Sequence, residues 1–215
     1  MFKKIDMEKW ERREHFKYYM GVLKTNYSFN VEIDITKLVE RVKALGLKFF
    51  PTMLYCVIRG VNENKEFRMG YKDGELGYWD WCDPSYTVFH PDDKTFSDIW
   101  SSYYKEFPKF YKGVVDDIEK YKDIKGVKTK GGRGDNFCPI SSVPWVSFTS
   151  LSHDTPGESG MFFPVIVFGK YHEKDGKIVI PLSIYVNHAA ADGWHTSKLV
   201  KDIENIAESV DSWVK

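Results

Sequence analysis

Apolar residues between positions 7 and 23 recur at spacings of three and four. Trp10, Phe16, Tyr19, Met20 and Leu23 supply the stripe of a first helix. Strict alternation follows: Tyr27, Phe29, Val31 and Ile33 stand against Ser28, Asn30 and Glu32, the mark of a half-buried strand. Asp34 can then cap a helix carrying Leu38, Val39, Val42 and Leu45, which Gly46 stops. Pro51 suits a first helical turn and opens a third helix with Leu54, Val57, Ile58 and Val61. Asp73-Gly74 between runs 67–71 and 75–80 predicts a hairpin, and 86–90 reads as another strand. Over 96–122 the pattern is helical, with a break at Pro108. The polar, glycine-rich stretch 125–136 reads as a surface loop. Beyond it, 145–148 is strand-like, and 162–172 and 177–187 are long strands around Asp175-Gly176. A last helix over 193–214 buries Leu199, Val200, Ile203, Ile206, Ala207, Val210 and Trp213. Helices and strands mix without regular alternation or a repeat. The expectation is an α+β fold, one domain over 1–215, with a large mixed β-sheet packed by helices.

Composition narrows the function classes. Lys plus Arg and Asp plus Glu each number 31, so the formal net charge is zero. A dedicated nucleic-acid binder or a polybasic membrane binder would be cationic, so neither nucleic acid nor membrane is an expected partner. No apolar run reaches the roughly 18 residues of a membrane span, and the start lacks an apolar signal core. Cys56, Cys82 and Cys138 form neither a CxxC pair nor a zinc-like spacing, which points to a reducing, cytoplasmic setting and no metal. Lys130-Gly131-Gly132-Arg133-Gly134 does not join a strand to a helix, so it is not a phosphate loop. Aromatic residues make up 16% of the chain, enough for a thick core, an apolar ligand pocket or an interface.

Candidate chemistry concentrates in Tyr185-Val186-Asn187-His188-Ala189-Ala190-Ala191-Asp192-Gly193-Trp194-His195. An apolar strand ends at His188, small residues follow, and a helix begins after Asp192. A neutral histidine held at a strand end can act as a general base near pH 7. It can equally be a hydrogen-bonded structural residue. Asp192 has two readings as well: a plain helix cap, or the partner of a cation that holds the histidine's turn.

HxxxDG at the end of an apolar strand is the hallmark of the CoA-dependent acyltransferase superfamily, and the chain resembles the classical (type A) chloramphenicol acetyltransferases much more widely. The resemblance runs through Trp10-Glu11-Arg12-Arg13-Glu14-His15-Phe16, Lys48-Phe49-Phe50-Pro51 and Phe67-Arg68-Met69. It continues through Tyr86-Thr87-Val88-Phe89-His90, Thr95-Phe96-Ser97, Pro144-Trp145-Val146-Ser147-Phe148 and Gly169-Lys170-Tyr171, in the family's order. It implies an O-acetyltransferase that moves acetyl from acetyl-CoA to the 3-hydroxyl of chloramphenicol, and so confers antibiotic resistance. It implies a homotrimer with active sites at subunit interfaces. His188 matches the base and Ser141 the oxyanion donor. Arg12 and Asp192 match a buried ion pair that fixes the His188 loop. Tyr19, Leu23, Tyr27, Thr87 and Phe96 match the antibiotic pocket, and Lys48 and Tyr171 the CoA side.

Several positions depart from the family pattern. Asn187 replaces a first histidine, Ala190-Ala191 replace larger residues, and Val167 stands where a threonine is usual in the substrate-binding region. His153 replaces an apolar pocket residue, and 153–160 is rich in Gly, Pro and charge. These departures motivate an alternative in which the same fold acetylates another hydroxylated or amine acceptor. A further alternative is a catalytically silent trimeric binder of small molecules. Dihydrolipoamide acyltransferase cores share the HxxxDG chemistry, but the chain has no lipoyl or subunit-binding segment.

Overall fold

A computed structural model describes residues 1–154 and 161–215. The central feature is a mixed sheet in the order β2-β10-β8-β7-β5-β6, with β9 paired to β10. Its strands are β2 (Asn26–Asp34), β5 (Asp83–His90), β6 (Thr95–Trp100), β7 (Phe137–Val143), β8 (Val165–Gly169), β9 (His172–Lys174) and β10 (Lys177–Asn187). The pairs β2–β10, β10–β8 and β5–β6 are antiparallel, whereas β7 runs parallel to both β8 and β5. A small antiparallel sheet joins β1 (Phe2–Lys4), β4 (Glu75–Trp79) and β3 (Met69–Lys72). The α+β expectation, with a large mixed sheet and packed helices, is what the chain adopts.

Alternation explains which face is covered. Ile180, Leu182, Ile184 and Val186 of β10 share one face and join the main core. Helices α2 (Thr36–Ala44), α3 (Phe49–Glu63) and α5 (Gly193–Glu208) contribute their apolar stripes to it. Gly60 of α3 sits directly against α5: a Cβ there would come 2.6 Å from Cγ1 of Ile203. Its absence lets the two helices close on each other. On the opposite face Ser183 and Tyr185 are also buried. There the Leu151 N–H donates to Asn30 Oδ1 (3.0 Å), and the Ser183 hydroxyl donates to the Leu151 carbonyl (2.7 Å). Of the Gly- and charge-rich stretch 153–160, residues 155–160 lie outside the described residues.

Four local expectations need correction. The helix expected over 96–122 begins only with α4 (Phe107–Tyr121), and Pro108 sits in its first turn rather than breaking it. Residues 95–100 instead form β6, whose inward positions include the polar Ser97. The Ser97 hydroxyl donates to the Ile124 carbonyl (2.8 Å), and the buried Ser101 just beyond β6 donates to Asp117 (2.6 Å). Those inward serines hide the period of two that would have marked a strand. The segment 145–148 is not a strand; the strand is β7, disguised by Pro139, Ser141 and Ser142. The run 162–172 divides into β8 and β9, and the first helix, α1 (Arg13–Gly21), is shorter than expected.

One feature of the sheet prepares a site. Strands β5 and β7 pair only over Asp83–Ser85 and Phe137–Pro139, although both continue for several residues. Beyond that point they part and leave an opening within the sheet.

Candidate active site

The first half of the site is built where β10 ends. Asn187 Oδ1 accepts the Ala189 N–H (2.9 Å), and its carbonyl accepts the Ala190 N–H (3.0 Å), which turns the chain sharply. The Asn187 amide donates to the Met161 carbonyl (3.1 Å). Ala189, Ala190 and Ala191 are buried, and only small side chains leave the turn room to close against Phe16 and Phe162. The His188 N–H donates to the Thr25 carbonyl (3.1 Å), so His188 is held between two strand ends. Its ring stacks on Tyr19 (centroids 3.9 Å apart, planes 8° apart) and meets the edge of Tyr27 at 5.0 Å. Its Nδ1 is buried without a hydrogen-bond partner among the described residues.

Asp192 serves both readings that its sequence position allows. It is the N-cap of α5, where Oδ1 accepts the Trp194 N–H (3.1 Å). Arg12, 180 residues earlier, donates from Nη1 to the other carboxylate oxygen, Oδ2, at 2.5 Å. Arg12 Nη2 also approaches the His188 carbonyl at 3.5 Å. The Arg12 side chain is 13% exposed and that of Asp192 33%, so the pair is partly rather than fully buried. Burial pushes the Asp192 pKa up. Hydrogen bonds from His195 and Arg12, with their charges, outweigh it and hold the carboxyl at about 2.

A carboxyl whose folded pKa is lowered from 3.8 to about 2 contributes stability that is fully present above its unfolded pKa. That contribution is lost as pH falls through the folded value. The stability difference between wild type and Asp192→Asn should therefore shrink between about pH 4 and pH 2. Thermal unfolding across that range measures it, and a difference independent of pH would contradict the assignment. Asp34, held at about 2 by Thr36 and Lys177, titrates in both proteins and cancels.

Tyr27 was expected to line the antibiotic pocket, and its ring edge does face His188. Its hydroxyl, however, turns to the helices and meets Thr196 Oγ1 at 2.7 Å. Burial raises the phenol pKa to about 12. Leu23 lies exposed just beyond α1.

The second half of the site is the opening between β5 and β7, a cavity of about 880 Å³. Thr87, Phe89, Ser141 and Ser142 come from the parted strands, Phe96 from β6, and Lys48, Phe50 and Pro51 from the start of α3. Thus Ser141, Thr87, Phe96 and Lys48 share one cavity. The backbone N–H of Lys48 is anchored on the Tyr111 hydroxyl (2.8 Å). Tyr171 does not line this cavity; it packs on Phe49 with ring centroids 5.0 Å apart. Val167 of β8 is paired with Ser141 of β7, is buried, and brings no hydroxyl to that row. His153 packs near Tyr185 (6.0 Å), and burial lowers its pKa.

The two halves do not meet within one chain. Ser141 pairs with Val167, and Val167 pairs with Ser183. Asn187, the last strand residue before His188, lies four positions further along β10. Two strand spacings across and four residues along put the Ser141 and Asn187 backbones about 16 Å apart. The His188 and Ser141 side chains of one chain therefore start from well-separated points of the sheet.

The sequence of the whole chain decides what this arrangement belongs to. The family model described as chloramphenicol acetyltransferase matches residues 1–204. The chain belongs to the chloramphenicol acetyltransferase family. It is 39% identical over 214 residues to the chloramphenicol acetyltransferase of Clostridium perfringens, covering 99% of this chain and 98% of that one. With the enzyme of Clostridium butyricum the identity is 40% over 215 residues, covering 100% and 98%. A solved chloramphenicol acetyltransferase superposes with a TM-score of 0.85 at 26% identity, covering 96% of this chain and 100% of that chain. The family expectation drawn from the motifs holds, and with it the acyltransferase fold. No helix among the described residues is long and apolar enough to cross a membrane.

Two residues of the His188 end escaped the sequence reading. His195 and Thr196 both reach back to Asp192 from the first turn of α5. The spacing Asp192-x-x-His195, a variant of the capping box, was the available signal.

Proposed function

We propose that the chain transfers acetyl from acetyl-CoA to the 3-hydroxyl of chloramphenicol, at sites formed between subunits of a trimer. His188 of one subunit takes the hydroxyl proton on Nε2 as the alcohol oxygen attacks the thioester carbonyl. The tetrahedral oxyanion accepts a hydrogen bond from the Ser141 hydroxyl of the next subunit. Collapse breaks the carbon–sulfur bond, and the imidazolium returns its proton to the CoA thiolate. No acyl-enzyme forms. Arg12 and Asp192 hold the His188 turn. Phe96 and Thr87 line the acceptor space, while Lys48 meets CoA phosphate and Tyr171 its adenine.

The observation that carries the shared site is the separation of His188 from Ser141. Exposed apolar surface supports it. Around the base end lie Tyr18, Val22, Leu23 and Trp194, and at the cavity mouth Phe89, Phe96, Trp145 and Val146. Phe89 is paired with Phe96 and packs against Trp145 at 4.9 Å, so the second group is a continuous patch. Two different patches that cover each other make a head-to-tail interface, which closes into a ring under cyclic symmetry.

Purified protein with acetyl-CoA and chloramphenicol should release CoA thiol, and release no faster than from a His188→Ala control would sink the proposal. Ser141→Ala should lower kcat by about 10²–10³-fold with little change in KM, because the lost bond forms only in the transition state. A matching rise in KM would assign Ser141 to ground-state binding instead. A second reading, acetylation of a different acceptor, rests on His153. Its Nδ1 is buried without a partner among the described residues, on the sheet face that carries Val167 and Ser141. Thiol release with other alcohols or amines, but not with chloramphenicol, would select it.

A further inference from the structure

Asp192 is gripped by two side chains, one on each oxygen. Arg12 Nη1 takes Oδ2 at 2.5 Å, and His195 Nδ1 lies 2.8 Å from Oδ1. His195 is the third residue of α5, a position where a side chain can accept the N-cap backbone N–H. That contact also exists, but Asp192 N to His195 Nδ1 is 3.4 Å. One ring nitrogen cannot be donor and acceptor at once. The carboxylate contact is much the shorter, and with an ionised acid held at about 2 it needs a proton on Nδ1. His195 therefore faces Asp192 as a donor. It is mostly buried, with the edge of Trp194 against its ring at 5.1 Å.

We propose that His195 is a positioning residue for the catalytic base: its Nδ1–H orients the Asp192 carboxylate so that Arg12 can reach the His188 turn. The inference rests on the proposed role of His188. Nδ1–H is present in the neutral tautomer and in the cation, so what the site uses is a directed donor. A residue that merely capped the helix would act as an acceptor, and the two roles make opposite demands on a replacement. In asparagine, Nδ2 occupies the place of the histidine Nδ1 at the same number of bonds from the backbone. Aspartate has the same size but only accepts. An acid in the first turn favours the helix through its dipole. It would also repel Asp192.

The test compares kcat, KM and thermal unfolding of wild type, His188→Ala, His195→Asn and His195→Asp in the thiol-release assay. The expected result is a His195→Asn enzyme within about 3-fold of wild type and a His195→Asp enzyme with kcat lower by about 10²-fold. KM should be little changed, as for a misplaced catalytic group. His195→Asp should unfold no earlier than His195→Asn. Equal activity of the two variants, or a better His195→Asp, would overturn the proposal in favour of a capping role. If His195→Asp does not fold, His195→Gln and His195→Ala decide: restored activity in neither His195→Asn nor His195→Gln relative to His195→Ala also overturns it. A wild type no more active than His188→Ala would instead overturn the functional reading itself.

Discussion

His188→Ala is expected to lower kcat for chloramphenicol acetylation by about 10⁴-fold, at the upper end of what a general base contributes. An aliphatic hydroxyl is a poor nucleophile toward a thioester until a base is hydrogen-bonded to its proton. The imidazole contributes little to substrate affinity through its charge, so both KM values should stay within about 3-fold. The fold should survive. The His188 backbone stays anchored on Thr25, and the turn is fixed by Asn187 and by Asp192 with Arg12. Loss of the Tyr19 stack removes about 0.5–1.5 kcal/mol. Steady-state kinetics with a thermal-unfolding control measures both quantities. A variant within tenfold of wild type would mean that another group accepts the proton.

That experiment tests the part of the site most legible in the sequence. His188 and Asp192 lie within five consecutive residues where an apolar strand gives way to a helix, so local pattern alone marks them. Other parts depend on contacts that periodicity does not encode. Arg12 and Asp192 are 180 residues apart, and only the family resemblance joined them before the structure did. Ser141 sits on β7, whose Pro139 and serines resemble a loop, so its strand was misplaced onto 145–148. Phe96 was drawn into a helix because inward Ser97 is polar yet satisfied by the Ile124 carbonyl. For Arg12 and for Ser97 a partly buried hydrogen bond replaces the hydrophobic signal on which a sequence reading depends. The cavity itself arises from two strands that part after three paired residues. That event lies in the sheet's register, and no single segment carries it.

Mixing two inactive variants should restore activity. His188→Ala lacks the base but keeps the Ser141 cavity; Ser141→Ala lacks the oxyanion donor but keeps the base. If each site takes His188 from one subunit and Ser141 from the next, some interfaces of a mixed ring combine the intact halves. With equal amounts and random assembly, the subunit donating the base is Ser141→Ala in half of the interfaces. The subunit donating the cavity is His188→Ala in half of those. About one interface in four is then fully competent, and the mixture should recover about a quarter of wild-type activity. The result does not depend on ring size, because only the two subunits at an interface matter. Co-refolding of equal amounts of differently tagged chains, with kinetic assay of the whole assembled pool and a check that both tags occur in one assembly, provides the measurement. A site contained in one chain predicts no recovery at any mixing ratio, because every chain then carries a lesion in its own site. The roughly 16 Å between the Ser141 and Asn187 backbones weighs against a site contained in one chain. No recovery in verified mixed assemblies would therefore remove Ser141 from its proposed role, while leaving the His188 result intact.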